Sequence, residues 1–153
     1  MLHFEKSSLI HASVEDVWKF YERPDILNLL TPPWQPVEVI RREGGLGVSA
    51  ESEFNIWLGP IPVPWVAVHT ACTENEEFVD VQKEGPMDFW QHQHKFIPQG
   101  NHCQLVDQID FALPGGELAE FLIGNWVKAR LQDMFDYRHK ITEDYCSSSN
   151  SEP

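Results

Sequence analysis

The stretch spanning residues 78–97, FVDVQKEGPMDFWQHQHKFI, limits the fold more than any other part of this chain. Two segments with a period of two flank Gly85-Pro86, a dipeptide that interrupts strands because glycine accepts positive φ and proline fixes its own. The spacing predicts a β-hairpin. In its second arm Trp90, His92, His94 and Phe96 fall on one face, and Phe89, Gln91, Gln93 and Lys95 on the other. One face therefore ends in aromatic rings and carries two imidazoles between them. Such a face is either a core that tolerates polar groups or the wall of a pocket that uses them. In the first arm Asp80 and Gln82 share a face with Phe78, and the pattern leaves open which face points inward.

A lone hairpin is marginal in water, so its apolar face needs further strands or a helix. At 153 residues the chain is long enough to supply them within a single domain, read here as residues 1–146 with a disordered polar tail at 147–153. Six tryptophans and nine phenylalanines suit a roomy, aromatic-walled interior, and equally suit ordinary β-sheet. Lys and Arg total 11 against 24 Asp and Glu, a formal net charge of −13. A phosphate backbone would be repelled, so nucleic acid and anionic membrane surfaces drop to the bottom of the list of partners. Three cysteines without a CxxC spacing make neither a disulfide framework nor a zinc knuckle, which favours a reducing cytoplasm. The opening MLHFEKSSLIH lacks the apolar core of a signal peptide, and no apolar run approaches the ~20 residues of a membrane span.

In chain order, residues 2–10 alternate as a first strand. Ser13 precedes Asp16 by three in a capping-box pattern, and Val14, Val17, Trp18 and Tyr21 follow at helical spacing. Pro24 opens a second short helix over 25–30. Strands follow at 37–42, 49–58, 65–73, along both hairpin arms, and on a last strand where Leu105, Asp107, Ile109, Phe111 and Leu113 share a face. Residues 59–64, GPIPVP, read as a stiff turn. From Glu117 to about Asp144 no proline intervenes, and a helix there would run ~42 Å. Leu118, Phe121, Leu122, Asn125, Trp126 and Ala129 cover one face of its first half, and Val127, Leu131, Met134, Phe135 and Ile141 another face further along. Tight turns between successive strands imply an antiparallel sheet of α+β class.

That order of elements resembles the helix-grip fold of the START/Bet v 1-like (SRPBCC) superfamily, in which a curved antiparallel sheet of about seven strands wraps a long C-terminal helix. Local motifs sharpen the resemblance: Ala12-Ser13-Val14-Glu15-Asp16-Val17-Trp18, Leu30-Thr31-Pro32-Pro33-Trp34, Gly85-Pro86-Met87, the alternating Trp90, His92, His94 and Phe96, and Asp110-Phe111-x-Leu113-Pro114-x-Gly116 are similar to a bacterial polyketide cyclase/dehydrase-like subfamily. The resemblance covers about residues 2–145. It implies a cavity between sheet and helix that holds a small, mostly hydrophobic molecule, lipid-, polyketide- or isoprenoid-like, and it implies no cofactor. Some members are fused to a nucleotide-sugar-epimerase-like domain, which makes such a protein a partner by analogy. Oligomeric state is left open.

Three functional readings use these residues. For binding, Phe54, Ile56, Phe78, Trp90, Phe96, Phe111, Phe121 and Trp126 would supply apolar contact, and Asp80, Gln82, His92, His94, Asp107 and Asn125 polar anchors. For catalysis, His92 or His94 oriented by Asp107 would move a proton in a cyclisation or dehydration. For an adaptor, the proline-rich loop near Trp57 and Trp65 would dock a partner. Two imidazoles spaced two apart can hold zinc when Asp80 or Asp107 converges as a third ligand, but that spacing alone is common, and no metal is assigned. Trp34 is placed either at a cavity mouth or as a surface cap.

Overall fold

Alternating side chains along seven segments pair into one antiparallel sheet. The strands are β1 (Leu2–Ile10), β2 (Val37–Glu43), β3 (Glu51–Leu58), β4 (Ile61–Thr73), β5 (Glu77–Glu84), β6 (Phe89–Gln99) and β7 (His102–Ala112). Their spatial order is β1-β7-β6-β5-β4-β3-β2, so each strand from β2 onward lies beside its successor and β1 completes the far edge against β7. The computed structural model describes residues 1–58 and 60–151, and for Leu58 and residues 148–151 the backbone alone. Helices α1 (Val14–Tyr21) and α2 (Ile26–Leu30) follow β1, and α3 (Gly116–Ser151) follows β7. This is the seven-stranded helix-grip architecture expected from the order of elements.

Local chemistry accounts for the boundaries. The Ser13 hydroxyl accepts the Asp16 amide at 3.2 Å, capping α1. Asn75 takes a left-handed φ of 63° in the β4–β5 turn, a conformation its short polar side chain tolerates. At the β5–β6 turn the Gln82 side chain donates to the Met87 carbonyl at 2.8 Å and accepts the Met87 amide at 3.0 Å. A Cβ on Gly85 would come within 2.5 Å of that carboxamide oxygen, so a side chain there would displace Gln82 from its bonds to Met87.

Registration settles which hairpin face is inner. His92 opposes Ile109, His94 opposes Asp107 and Phe96 opposes Leu105, while Phe78 opposes His94 and Asp80 opposes His92. Phe78, Asp80 and Gln82 therefore share the concave face with the imidazoles. Two apolar clusters sit on that face. One joins α1, α2 and the end of α3 to Phe78, Phe96 and Leu105; the other joins Phe4, Ile109, Phe111 and Leu113 to Leu131 and Phe135 of α3.

Three expectations change. Residues 61–64 are strand rather than turn, and Gly59 lies outside the described residues. Pro62 and Pro64 are accommodated because β4 runs past the end of β5 there. Trp57, opposite Pro62, directs its amide to Pro36 rather than to β4, so the missing proline donors fall on the unpaired side. The helix continues through Ser151, beyond the start expected for the polar tail, and residues 152–153 lie outside the described residues. Finally, α3 is rotated relative to the expected facing. Gly124 is buried, and a Cβ there would meet Leu2 at 3.3 Å, so this side presses on β1. The opposite side, with Phe121 84% and Trp126 61% exposed, faces away from the core.

Candidate functional site

Two arrangements on the concave face carry chemistry: a buried polar cluster and an apolar wall. The cluster is assembled from four elements. Asp107 on β7 accepts from His92 Nε2 at 2.7 Å and from His139 Nε2 of α3 at 2.6 Å. Asp80 on β5 accepts from His94 Nε2 at 2.7 Å. His94 Nδ1 lies 3.2 Å from Asp107 without a hydrogen-bond partner, and His92 Nδ1 lies 3.9 Å from Asp80. The rings of His92 and His94 stack with centroids 3.6 Å apart, and Phe78 stacks on His94 at 3.9 Å. Ser8 of β1 bonds His139 Nδ1 at 2.7 Å, which ties three elements through one imidazole.

Burial would raise the pKa of Asp107, but bonds from His139 and His92 and the nearby His94 imidazole reverse this and hold it well below the usual carboxylate range. Asp80 is lowered in the same way: burial opposes, and the His94 bond with the nearby imidazoles prevails. The two stacked imidazoles are driven apart. Burial pushes His92 down, and His94 adds to that fall. His94 suffers the same burial, yet the Asp107 carboxylate 3.2 Å away and the bond to Asp80 raise it above the usual histidine value. A proton is therefore held on His94 in preference to His92. The ring nitrogens are turned to carboxylates on the concave face, so the cluster braces α3 to the sheet.

The apolar wall lies on the other wing. Val37 and Val39 of β2 oppose Ile56 and Phe54 of β3, which in turn oppose Val63 and Trp65 of β4. Phe54 stacks on Trp65 at 6.2 Å, Trp65 meets the edge of Trp90 at 5.1 Å, and Trp90 lies 5.8 Å from Phe111. That row shows the wall to be concave-facing. Yet Val37, Val39, Phe54, Ile56, Val63 and Trp90 are only half-buried, and Val37, Val39, Phe54, Ile56 and Val63 belong to neither apolar cluster. The reason is placement of the helices: α3 packs on β1 and β7, α1 on β6 and β7, and on this wing the short α2 reaches β2. An open groove of about 690 Å³ runs along α3 beside Trp34, Arg130, Tyr137 and Lys140, with Trp34 edge-on to Tyr137 at 5.5 Å.

The residues singled out from the sequence thus separate. His92, His94, Asp80 and Asp107 meet in the cluster. Phe54, Ile56 and Trp90 line the wall. Phe78, Phe96 and Phe111 are packed core, at 4%, 2% and 0% exposure, and do not face open space. Gln82 braces its turn. Phe121, Asn125 and Trp126 are exposed on the far side of α3 and reach neither arrangement. Sequence reasoning missed His139, which completes the cluster, although its spacing on the Leu131, Phe135, His139, Thr142, Cys146 line marks one buried helix face.

The profile of the family described as "Polyketide cyclase / dehydrase and lipid transport" matches residues 10–136. No curated protein matches the sequence significantly. The structure of TTHA0849 from Thermus thermophilus aligns over 98% of this chain and 100% of its own, at 19% identity and a TM-score of 0.76. Norcoclaurine synthase from Thalictrum flavum, in complex with dopamine and hydroxybenzaldehyde, aligns over 99% and 88% at 15% identity and a TM-score of 0.67. A nucleoside-diphosphate sugar epimerase from Corynebacterium glutamicum aligns over 92% of this chain but only 28% of its own, at 25% identity and a TM-score of 0.70. Among the described residues no helix is long and apolar enough to cross a membrane. With the family profile spanning most of its length, the chain belongs to the polyketide cyclase/dehydrase and lipid transport family.

Proposed function

We propose that the protein binds a small, mostly hydrophobic molecule, lipid-, polyketide- or isoprenoid-like, against the wall formed by Val37, Val39, Phe54, Ile56, Val63 and Trp65. The observation that carries this reading is a concave, inward-facing apolar surface on which only Trp65 of these six is buried. Each 100 Å² of it that a ligand covers contributes about 2.5 kcal/mol before the costs of association. The site differs from the one the sequence suggested, because the imidazoles are engaged in the interior. For the same reason binding is favoured over cyclase or dehydratase chemistry at His92 and His94. The free thiols of Cys72, Cys103 and Cys146 fit a reducing, cytoplasmic setting. Titration with the apolar fluorophore N-phenyl-1-naphthylamine tests the site. Saturable emission is expected from the wild type, with at least a tenfold weaker affinity (about 1.4 kcal/mol) in Ile56→Asp. Equal binding by a folded Ile56→Asp protein would remove the wall from the account.

A second reading concerns the outer side of α3. Leu118, Phe121, Leu122, Ile123 and Trp126 are exposed together, more apolar surface than scattered residues require. In the Corynebacterium nucleoside-diphosphate sugar epimerase the matching fold is a minor part of a longer chain. We infer that this face docks an epimerase-like partner. Affinity purification from the native host should recover such a protein with the wild type and lose it with Phe121→Asp; recovery unchanged by that substitution would refute the docking face.

A further inference from the structure

The polar cluster is arranged around two carboxylates in a way that hydrogen bonding alone does not explain. Each of the stacked imidazoles turns one nitrogen to Asp107 and the other to Asp80. His92 presents Nε2 to Asp107 and Nδ1 to Asp80; His94 presents Nδ1 to Asp107 and Nε2 to Asp80. On the Asp80 side three ligand-type atoms, one from each residue, lie within 4.8 Å of one another. On the Asp107 side His94 Nδ1 is buried and makes no hydrogen bond, although the carboxylate is 3.2 Å away.

We propose that Asp80 Oδ2, His92 Nδ1 and His94 Nε2 form a binding site for a divalent transition-metal cation, zinc above all. Two imidazoles and one carboxylate make the donor set of a three-ligand zinc site with a fourth position left for water or a ligand oxygen. Zinc bonds of ~2.0–2.1 Å in tetrahedral array place neighbouring donors about 3.3 Å apart. Asp80 Oδ2 is now 2.7 Å from His94 Nε2 and 3.9 Å from His92 Nδ1, so the two spacings bracket that value and require opposite shifts of about 0.6 Å. Asp107 supplies the outer support. Ligating imidazoles usually donate their other N–H to a carboxylate, which fixes ring orientation, and Asp107 faces that nitrogen on both rings. Cation binding releases the proton now held between His94 Nε2 and Asp80, and the orphaned His94 Nδ1–H then donates to Asp107. Asp80, at 15% side-chain exposure, is the most accessible of the three and gives the approach. The HxH spacing could not justify this from sequence; the third donor comes from a neighbouring strand. The inference does not depend on the ligand wall, because none of its residues belongs to it.

The test uses the full chain stripped with a chelator, dialysed and refilled with zinc chloride. One zinc per chain is expected by elemental analysis, and cobalt(II) in its place should show the visible bands of a tetrahedral centre. Nitrogen-15 spectra of the imidazoles in the wild type should shift at His92 Nδ1 and His94 Nε2 and leave the exposed His3 and His11 rings in place. Asp80→Asn, which keeps the side-chain shape, should weaken zinc by at least about tenfold, the lower bound for losing even an outer partner of a metal ligand. Absence of zinc uptake, shifts confined to His3 or His11, or undiminished uptake by a folded Asp80→Asn protein would each overturn the proposal. The spectra of the unaltered chain decide the question even where the variant fails to fold.

Discussion

Replacing Asp107 by alanine is expected to remove about 3–5 kcal/mol of stability, as deleting one partner of a buried charged pair typically does. Asp107 is 2% exposed and receives bonds from two elements, His92 of β6 and His139 of α3. Its loss leaves two imidazole donors without that acceptor and leaves His94 facing only Asp80. The half-buried Arg138, whose charge Asp107 favours, also loses a compensating partner. Because His139 is also bonded to Ser8, the damage falls on the join between helix and sheet. Equilibrium urea unfolding measures the effect. A shift below about 1 kcal/mol, the size of an ordinary neutral hydrogen bond, would mean that the cluster is decoration rather than brace.

The second large effect is acid unfolding. Asp107 and Asp80 both have folded pKa values depressed below the ordinary carboxylate, so their stabilisation is present above the unfolded value, near 3.9. As pH falls through that range the unfolded chain binds protons that the folded chain refuses, and stability drops until the folded values are passed. The two imidazoles act in opposite senses. His92, lowered, loses stability as pH falls below the usual 6.5, where the unfolded ring charges first. His94, raised, contributes fully below that value and loses its contribution as pH climbs through its folded pKa. The histidine effects therefore offset each other around neutrality, and the carboxylates dominate below about pH 5. Urea midpoints of the metal-free protein measured from pH 7 to pH 3 should fall steeply in the lower half of that range, and Asp80→Asn should make the fall shallower. A flat profile from pH 5 to pH 3 would contradict the assignment.

Much of the fold was legible because strands and helices carry different periods. The alternation through Trp90, His92, His94 and Phe96, and that through Leu105, Asp107, Ile109 and Phe111, each named a concave face, and the register laid those faces side by side. Long-range facing was harder. In α3 the sequence offers two apolar stripes, and hydrophobicity ranks Phe121 and Trp126 above Gly124. The structure turns Gly124 to Leu2, whose Cδ1 a Cβ there would approach to 3.3 Å, so a small residue suits the close contact of helix and strand. His139 was passed over because it lies in a charged segment, 32 residues from the Asp107 it meets. Pro62 and Pro64 read as a turn because the free side of β4 depends on where β5 ends, which no local pattern reports. Aromatic content pointed to an interior with room in it, but could not say that Phe78, Phe96 and Phe111 fill their side while Phe54 and Ile56 remain half-uncovered.

The claim that most needs testing is that the uncovered wall, rather than the interior beside the imidazoles or the outer side of α3, receives the ligand. Methyl-labelled protein titrated with N-phenyl-1-naphthylamine and followed by carbon–proton correlation spectra addresses it directly. Saturable shifts are expected on the methyl groups of Val37, Val39, Ile56 and Val63, with Leu105 and Leu131 of the core unmoved. Shifts centred on Leu118 and Leu122, or on the core leucines, would contradict it.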